Sequence, residues 1–265
     1  MIRDITIGQY YPVDSPIHRM DPRTKLVGTI VFMISLFLAK GIWGYGLALI
    51  FLVTVIHISK VPVRYMAKGL KAILMLLLFS VSFTIFLTDG KPIFHIWKLQ
   101  ATWEGLRIAV RTVIRLVMLI MGSTIMTLTT TPNDLTDGLE KGLGFLKKVH
   151  VPVHEISMMM SIALRFIPIL IEETDKIMKA QMARGADFES GNLIQKVRNM
   201  IPLLVPLFVS AWRRGFELSL AMESRCYRGG EHRTKMKPLV YKKIDYAAYL
   251  VLFGFFAGII GTKML

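Results

Sequence analysis

Three observations predict an all-α, polytopic membrane protein with about five transmembrane helices and a cytoplasmic domain of long amphipathic helices. Of the 265 residues, 53% are hydrophobic, and the mean hydropathy is +0.51, a balance that belongs to membrane chains. Several apolar runs approach the roughly 20 residues needed to cross a bilayer core. Before the last of these runs lies Glu155–Arg228, which is helical in pattern but too polar to sit in lipid. The expected organisation is four spans within 1–131, a cytoplasmic domain over 132–243 and a C-terminal transmembrane helix over 244–265.

Charge bears on orientation and partners. Lys and Arg outnumber Asp and Glu by 33 to 18, a net +15, which fits positive-inside loops facing anionic lipid. No recognition motif accompanies the basic residues, so no nucleic-acid partner is expected. A single cysteine, Cys226, excludes an intrachain disulfide framework. Met1 to Lys25 holds Asp4, Asp14 and Asp21 where a cleavable signal would need an apolar core.

Taken in order, residues 9–25 contain three prolines and read as an ordered or extended lead-in, which also supplies Arg19, Arg23 and Lys25. Asp21-Pro22-Arg23 suits a helix start, with Asp21 as N-cap and Pro22 at the first helical position. Leu26 to Ala39 and Gly41 to Ile58 exceed one bilayer thickness together, so they predict a hairpin of two spans turning at Lys40. The next segment, Ser59 to Lys71, carries four basic residues and no acid and is expected to be a cytoplasmic loop. Ala72 to Thr88 is the third span, followed by a turn at Asp89-Gly90-Lys91-Pro92.

Residues 93–104, with Trp97 and Trp103, suit an interfacial aromatic belt or a short helix lying on the membrane. The fourth span runs from about Leu106 to Thr129. Arg107, Arg111 and Arg115 share one of its faces, either snorkelling to headgroups, facing a partner, or lining a polar path. Thr131, Pro132 and Asp134 then open a short helix, Asn133 to Val149, interrupted by Gly138, Gly142 and Gly144. The loop after Arg228 is basic and turn-like. Ile244 to Ile260 is the fifth span, whose Gly254 and Gly258 would let another helix approach. The count places the N-terminus in the cytoplasm and Leu265 outside.

Within the polar stretch, Ile156, Met160, Ala163, Ile167, Leu170, Thr174, Ile177 and Gln181 mark one face of a helix from Glu155 to Met182, roughly 40 Å long. A second helical run, Leu193 to Met222, carries Pro202 and Pro206, and its apolar core Ile201 to Trp212 is too short to span. Each run ends in an arginine between small neighbours, Ala183-Arg184-Gly185 and Ser224-Arg225-Cys226. Gly185 can close the first helix in the left-handed conformation. An exposed guanidinium pairs bidentately with carboxylates, so both arginines are candidate plugs for acidic grooves on partner proteins.

Catalytic chemistry finds no support. Phosphate loop, paired-cysteine zinc pattern, His-Glu-x-x-His and nucleophile elbow are all missing from the sequence. His150 and His154 flank Pro152, which disrupts the geometry of a shared metal site. No cofactor or metal is expected.

Three stretches carry a resemblance: Asp14 to Leu26, Arg165-Phe-Ile-Pro168 through Gln181-Met-Ala-Arg-Gly185, and Glu217 to Tyr227. The chain resembles the transmembrane T component of energy-coupling factor (ECF) transporters. The resemblance implies a non-catalytic subunit that joins two cytoplasmic ABC-type ATPase subunits to an integral membrane substrate-binding S component, for uptake of vitamins or other micronutrients. It implies that Arg184 and Arg225 each seat in an ATPase groove, flanked by Ala183, Gly185, Ser224 and Cys226, and that ATP closure moves two crossed coupling helices. The S component would rest on those helices. Met158, Met159 and Met160 suit such a platform, because thioethers repack against different partners. The second signature departs from Ala-Arg-Gly but keeps small flanks. A self-sufficient channel or secondary carrier is the alternative, although spans one to three offer almost no mid-membrane ionisable group. A membrane-bound enzyme would need a convergent constellation that the sequence lacks.

Overall fold

The computed structural model describes residues 10–88, 91–96, 99–188, 192–230, 236 and 238–264. Eight α-helices are described: α1 (Pro22–Leu38), α2 (Gly41–Ser59), α3 (Val63–Leu87), α4 (Trp103–Thr129), α5 (Pro132–Gly142), α6 (Val153–Ala183), α7 (Leu193–Ser224) and α8 (Lys243–Met264). A short antiparallel hairpin, β1 (Pro92–Ile96) and β2 (Leu99–Thr102), precedes α4. The chain divides into two compact units, one of Gly8–Gly138 with Leu239–Leu265 and one centred on Leu139–Pro238. The boundary falls within α5.

In the first unit α1, α2, α4 and α8 pack together, and α3 packs on α4. Phe32, Phe51 and Phe255 stack at the centre, with ring centroids 4.2 to 6.1 Å apart. Gly122 of α4 makes room for this cluster, since a Cβ there would lie 2.5 Å from the Phe32 ring. Phe32, Leu36, Leu52, Met118, Ile125 and Ile259 complete a buried core.

The Asp21–Lys25 segment acts as a polar staple. Asp21 caps α1 through Arg23 N–H (2.9 Å), Pro22 occupies the first turn, and Arg23 returns two bonds to the Asp21 carboxylate. The Arg23 guanidinium also stacks 4.0 Å from the centre of the Tyr241 ring. Buried Asp245 accepts from Asp21 N–H at 2.8 Å and from Lys242 N–H at 2.7 Å, which closes the first turn of α8 and fastens it to the start of α1. Lys25 donates to the carbonyls of Thr129 (2.8 Å) and His18 (3.2 Å), so a cation meets the negative end of α4. Ahead of α1, His18 bonds Ser15 through Nδ1 and Tyr11 O through Nε2. Tyr11 N–H donates to Leu128 O, so the lead-in is ordered; Gln9 lies outside the described residues.

Several sequence expectations need correction. Val63–Lys71 is the first arm of α3, bent by 58° against Ile73–Leu87, instead of a loop. Of the two arrangements expected for residues 93–104, the short surface helix is replaced by the β1–β2 pairing, and Trp103 and Glu104 begin α4. Asp89 and Gly90 of the expected turn, Trp97, and most of the basic loop after Gly230 lie outside the described residues, as does Leu265. Asn133 to Val149 resolves into α5 and a separate 3₁₀ turn, Gly144–Val149, with Thr131 Oγ1 accepting from Asp134 N–H at its start. Gly258 closely approaches Leu47, whereas Gly254 faces open space.

Among the described residues, four helices are long and apolar enough to cross a membrane: α2, α4, α6 and α8. The two arms of α3, taken as one span, make five. At 17 residues, about 26 Å, α1 sits at the short limit of a span. The inclusion of α6 departs from the expectation that it is too polar. Its charges crowd into the second half at Glu172, Glu173, Asp175, Lys176 and Lys179, leaving a mainly apolar first half in which Glu155 and Arg165 are the charged residues.

Candidate functional site

The second unit is built on α6 and α7, of 31 and 32 residues. Proline shapes their contact. Pro206 has no N–H, so the carbonyl four residues earlier, that of Pro202, loses its helical donor. Gln181 Nε2 of α6 supplies the replacement at 3.3 Å. Farther along, Glu173 of α6 pairs with Arg214 of α7, and the arginine holds the Glu173 side chain in place. His154, at the start of α6, packs against Gly230 just past the end of α7, where a Cβ would lie 2.3 Å from the ring. Contacts thus advance along α7 while they retreat along α6, and the two helices lie antiparallel.

Around His154 the polar groups converge. Its Nδ1 lies 2.8 Å from Glu140 Oε1, and Ser157 Oγ donates to the other carboxylate oxygen at 3.1 Å. His150, by contrast, sits in a left-handed turn at φ +62°, away from helical register with His154. No group of three His, Cys, Asp or Glu suited to a metal is found among the described residues.

Both arginines close their helices in the same way. At the end of α6, Gly185 N–H reaches Met182 O and Ala186 N–H reaches Gln181 O, each at 3.0 Å. At the end of α7, Cys226 N–H reaches Glu223 O (2.8 Å) and Tyr227 N–H reaches Met222 O (3.0 Å). These are two Schellman motifs, with Arg184 and Arg225 at the C-cap and the next residue left-handed. Gly185 has φ +89° and Cys226 φ +56°. Ala183, Arg184, Gly185, Ser224, Arg225 and Cys226 are all exposed. Neither arginine makes an ion pair or a side-chain hydrogen bond among the described residues. Because α6 and α7 are antiparallel and Gln181 meets Pro202, the three residues from Gln181 to Arg184 and the 23 from Pro202 to Arg225 together separate the two tips by roughly 39 Å.

The face expected to need a partner along α6 is half-buried from Ile167 to Gln181 but exposed at Ile156, Met160 and Ala163. Met158 is half-buried, and Met159 and Met160 are exposed. Sequence reading missed a larger surface. On α7, Ile194, Val197, Ile201, Leu204, Phe208, Trp212, Phe216 and Leu220 are at least half-exposed and recur every three to four residues. Within the run Ile201 to Trp212, Leu203 is buried while Ile201, Leu204, Phe208 and Trp212 belong to the outward stripe, and its helical period was the signal available in the sequence. A stripe of this length on an isolated chain marks a surface that an apolar partner or lipid covers.

A family model described as "Cobalt transport protein" (CbiQ) matches residues 14–236. The chain is 51% identical over 249 residues to a protein of Thermosediminibacter oceani named energy-coupling factor transporter transmembrane protein EcfT, covering 94% of each chain. Proteins of the same name from Clostridium kluyveri and Bacillus subtilis are 52% identical over 253 residues and 47% identical over 253 residues. The alignments cover 94% of this chain and 93% of the first, and 95% of this chain and 96% of the second.

Proposed function

Because the chain belongs to the CbiQ family and is a transmembrane T component of the energy-coupling factor type, we propose that it transmits the motion of two cytoplasmic ATPase subunits to a membrane-embedded S component. The observation that carries this reading is the pair of matching helix ends. Two exposed guanidinium groups with no ion pair among the described residues, each at a Schellman C-cap and held roughly 39 Å apart by an antiparallel helix pair, suit one acidic groove on each of two similar partners. In this reading the N-terminus and the α6–α7 unit are cytoplasmic and the C-terminus is outside. ATP hydrolysis belongs to the partners, and the S component selects the vitamin or other micronutrient.

The α7 stripe and the exposed Met159 and Met160, beside half-buried Met158, form the apolar platform for the S component. Aromatic anchors such as Phe208 and Trp212 bury large areas without fixed directionality, which suits a surface that slides as the helices move.

The test is Arg184→Ala with Arg225→Ala in the assembled transporter. A charge-assisted bidentate contact contributes on the order of 1.5–3 kcal/mol, so losing both weakens ATPase association by at least about a hundredfold and abolishes uptake, with the subunit still in the membrane. Replacement by lysine restores little, since an ammonium lacks the planar fork. Unchanged ATPase co-purification and uptake in the double variant refute the assignment. Phe208→Asp with Trp212→Asp separates the second surface: the S component is lost and the ATPases are retained.

A further inference from the structure

Three arginines on a transmembrane helix are left unexplained by the coupling reading. Arg107, Arg111 and Arg115 follow one another at four-residue intervals along α4, so they rise about 6 Å per step on one face. Arg107 and Arg111 are exposed and Arg115 is half-buried. Among the described residues none of the three forms an ion pair. Glu104 lies one turn before Arg107, and its Oε2 is engaged by Lys91 N–H at 2.8 Å.

Arg115 is aimed rather than loose. Its Nε and Nη2 donate to Tyr45 Oη at 3.1 and 2.7 Å, and the guanidinium lies 5.5 Å from the Phe37 ring centre. Phe37 and Tyr45 stand on either side of the α1–α2 turn at Lys40. Arg115 is therefore about one turn below that turn, Arg111 roughly level with it and Arg107 about one turn above. The ladder crosses the layer where a bilayer's hydrocarbon meets its headgroups. Exposed Trp43, three residues from Lys40, marks that layer, and exposed Trp103 at the head of α4 lies farther out, beyond Arg107. Between the arginines, Ile108, Val110 and Ile114 are 44%, 51% and 43% exposed. The surface thus alternates guanidinium and aliphatic groups, which matches a phosphate with its acyl chains better than a fully polar acidic peptide.

We propose that Arg107, Arg111 and Arg115 form a binding site for an anionic phospholipid, with Tyr45 holding Arg115 toward the phosphate. Arginine's planar fork satisfies a phosphate bidentately, and successive arginines four residues apart can share one headgroup or grip two neighbours.

The test is native mass spectrometry of the full chain released from detergent micelles, titrated with equimolar phosphatidylglycerol and phosphatidylcholine of the same acyl chains. Wild type binds phosphatidylglycerol preferentially. Each arginine near an anionic lipid surface contributes roughly a five-fold effect, so Arg107→Gln/Arg111→Gln/Arg115→Gln loses the preference by on the order of a hundredfold, while the corresponding triple lysine variant, which keeps the charge without the planar fork, retains only part of it. Arg111→Gln alone, at an exposed side chain with no partner among the described residues, lowers the preference about five-fold without touching the fold. Equal binding of the two lipids by wild type, or an unaltered preference in the Arg111→Gln and triple variants, overturns the proposal. Displacement of phosphatidylglycerol by millimolar inorganic phosphate overturns it too, and assigns the site to a free anion.

Discussion

The two helix ends differ at the left-handed position after the arginine, and that difference predicts a measurable asymmetry. Gly185 and Cys226 hold the same left-handed place after their arginines, at φ +89° and +56°. A residue with a Cβ is strained there by about 1–2 kcal/mol, whereas glycine is not. Cys226→Gly relieves that strain but returns about 0.4–1 kcal/mol of conformational freedom to the unfolded chain. The net effect is a cap more stable by about 0.5–1 kcal/mol. The Cys226 side chain is exposed, so no packing loss offsets the gain. Gly185→Ala runs the other way, because the new Cβ meets no neighbour within 4 Å but must adopt a positive φ. Hydrogen exchange of the Cys226 and Tyr227 amides, which close the α7 motif, reads the change directly. Exchange slows about two- to five-fold in Cys226→Gly, and the Gly185 and Ala186 amides speed up in Gly185→Ala. Faster exchange in Cys226→Gly refutes the left-handed assignment, and with it the equivalence of the two ends.

Other expectations concern the first unit and its lead-in. Asp245→Ala strands the buried N–H of Asp21 and removes the bond at the exposed Lys242 N–H; at about 1–3 kcal/mol for the one orphaned buried donor, it lowers stability by about 1–3 kcal/mol in detergent melts, and a shift near zero would remove the staple from the account. Gly122→Ala drives a methyl into the Phe32 ring and costs about 1–3 kcal/mol, measured the same way; tolerance would mean that the aromatic stack can slide. Burial holds the His18 imidazole below its ordinary value of about 6.5. The unfolded lead-in then binds more protons than the folded one, so its stability is complete above that ordinary value and lost as pH falls toward the folded value. Protection factors across Tyr10–Arg19, corrected for the intrinsic pH dependence of exchange, should fall between neutral and mildly acidic pH, and a flat profile would dismiss this role for His18.

Much of the architecture was legible because lipid imposes one strong rule. Apolar runs of span length announced α2, α4 and α8, and Asp21-Pro22 marked the start of α1 as found. Helical periodicity placed α6 and α7 within a few residues of their ends. Two failures have a common cause: the basic arm of α3 and the β1–β2 hairpin are short segments whose local composition fits several states, so tertiary pairing decides. The arginine ends were visible as tripeptides, but their equivalence was not, since Cys226 gives no hint in sequence that it takes glycine's conformation. The α7 stripe escaped for a different reason. Its period was readable, yet periodicity does not say whether an apolar face turns inward or outward.

The bond from Gln181 to the Pro202 carbonyl bears on how this pair of helices can move. Ordinary apolar faces slip past each other in small steps, but an acceptor stripped of its own donor by Pro206 is content at few settings of the neighbouring rod. Together with the Glu173–Arg214 link, it makes the hinge behave as a detent: small thermal jostling is absorbed, and only a pull strong enough to unseat both contacts at once lets the two rods part.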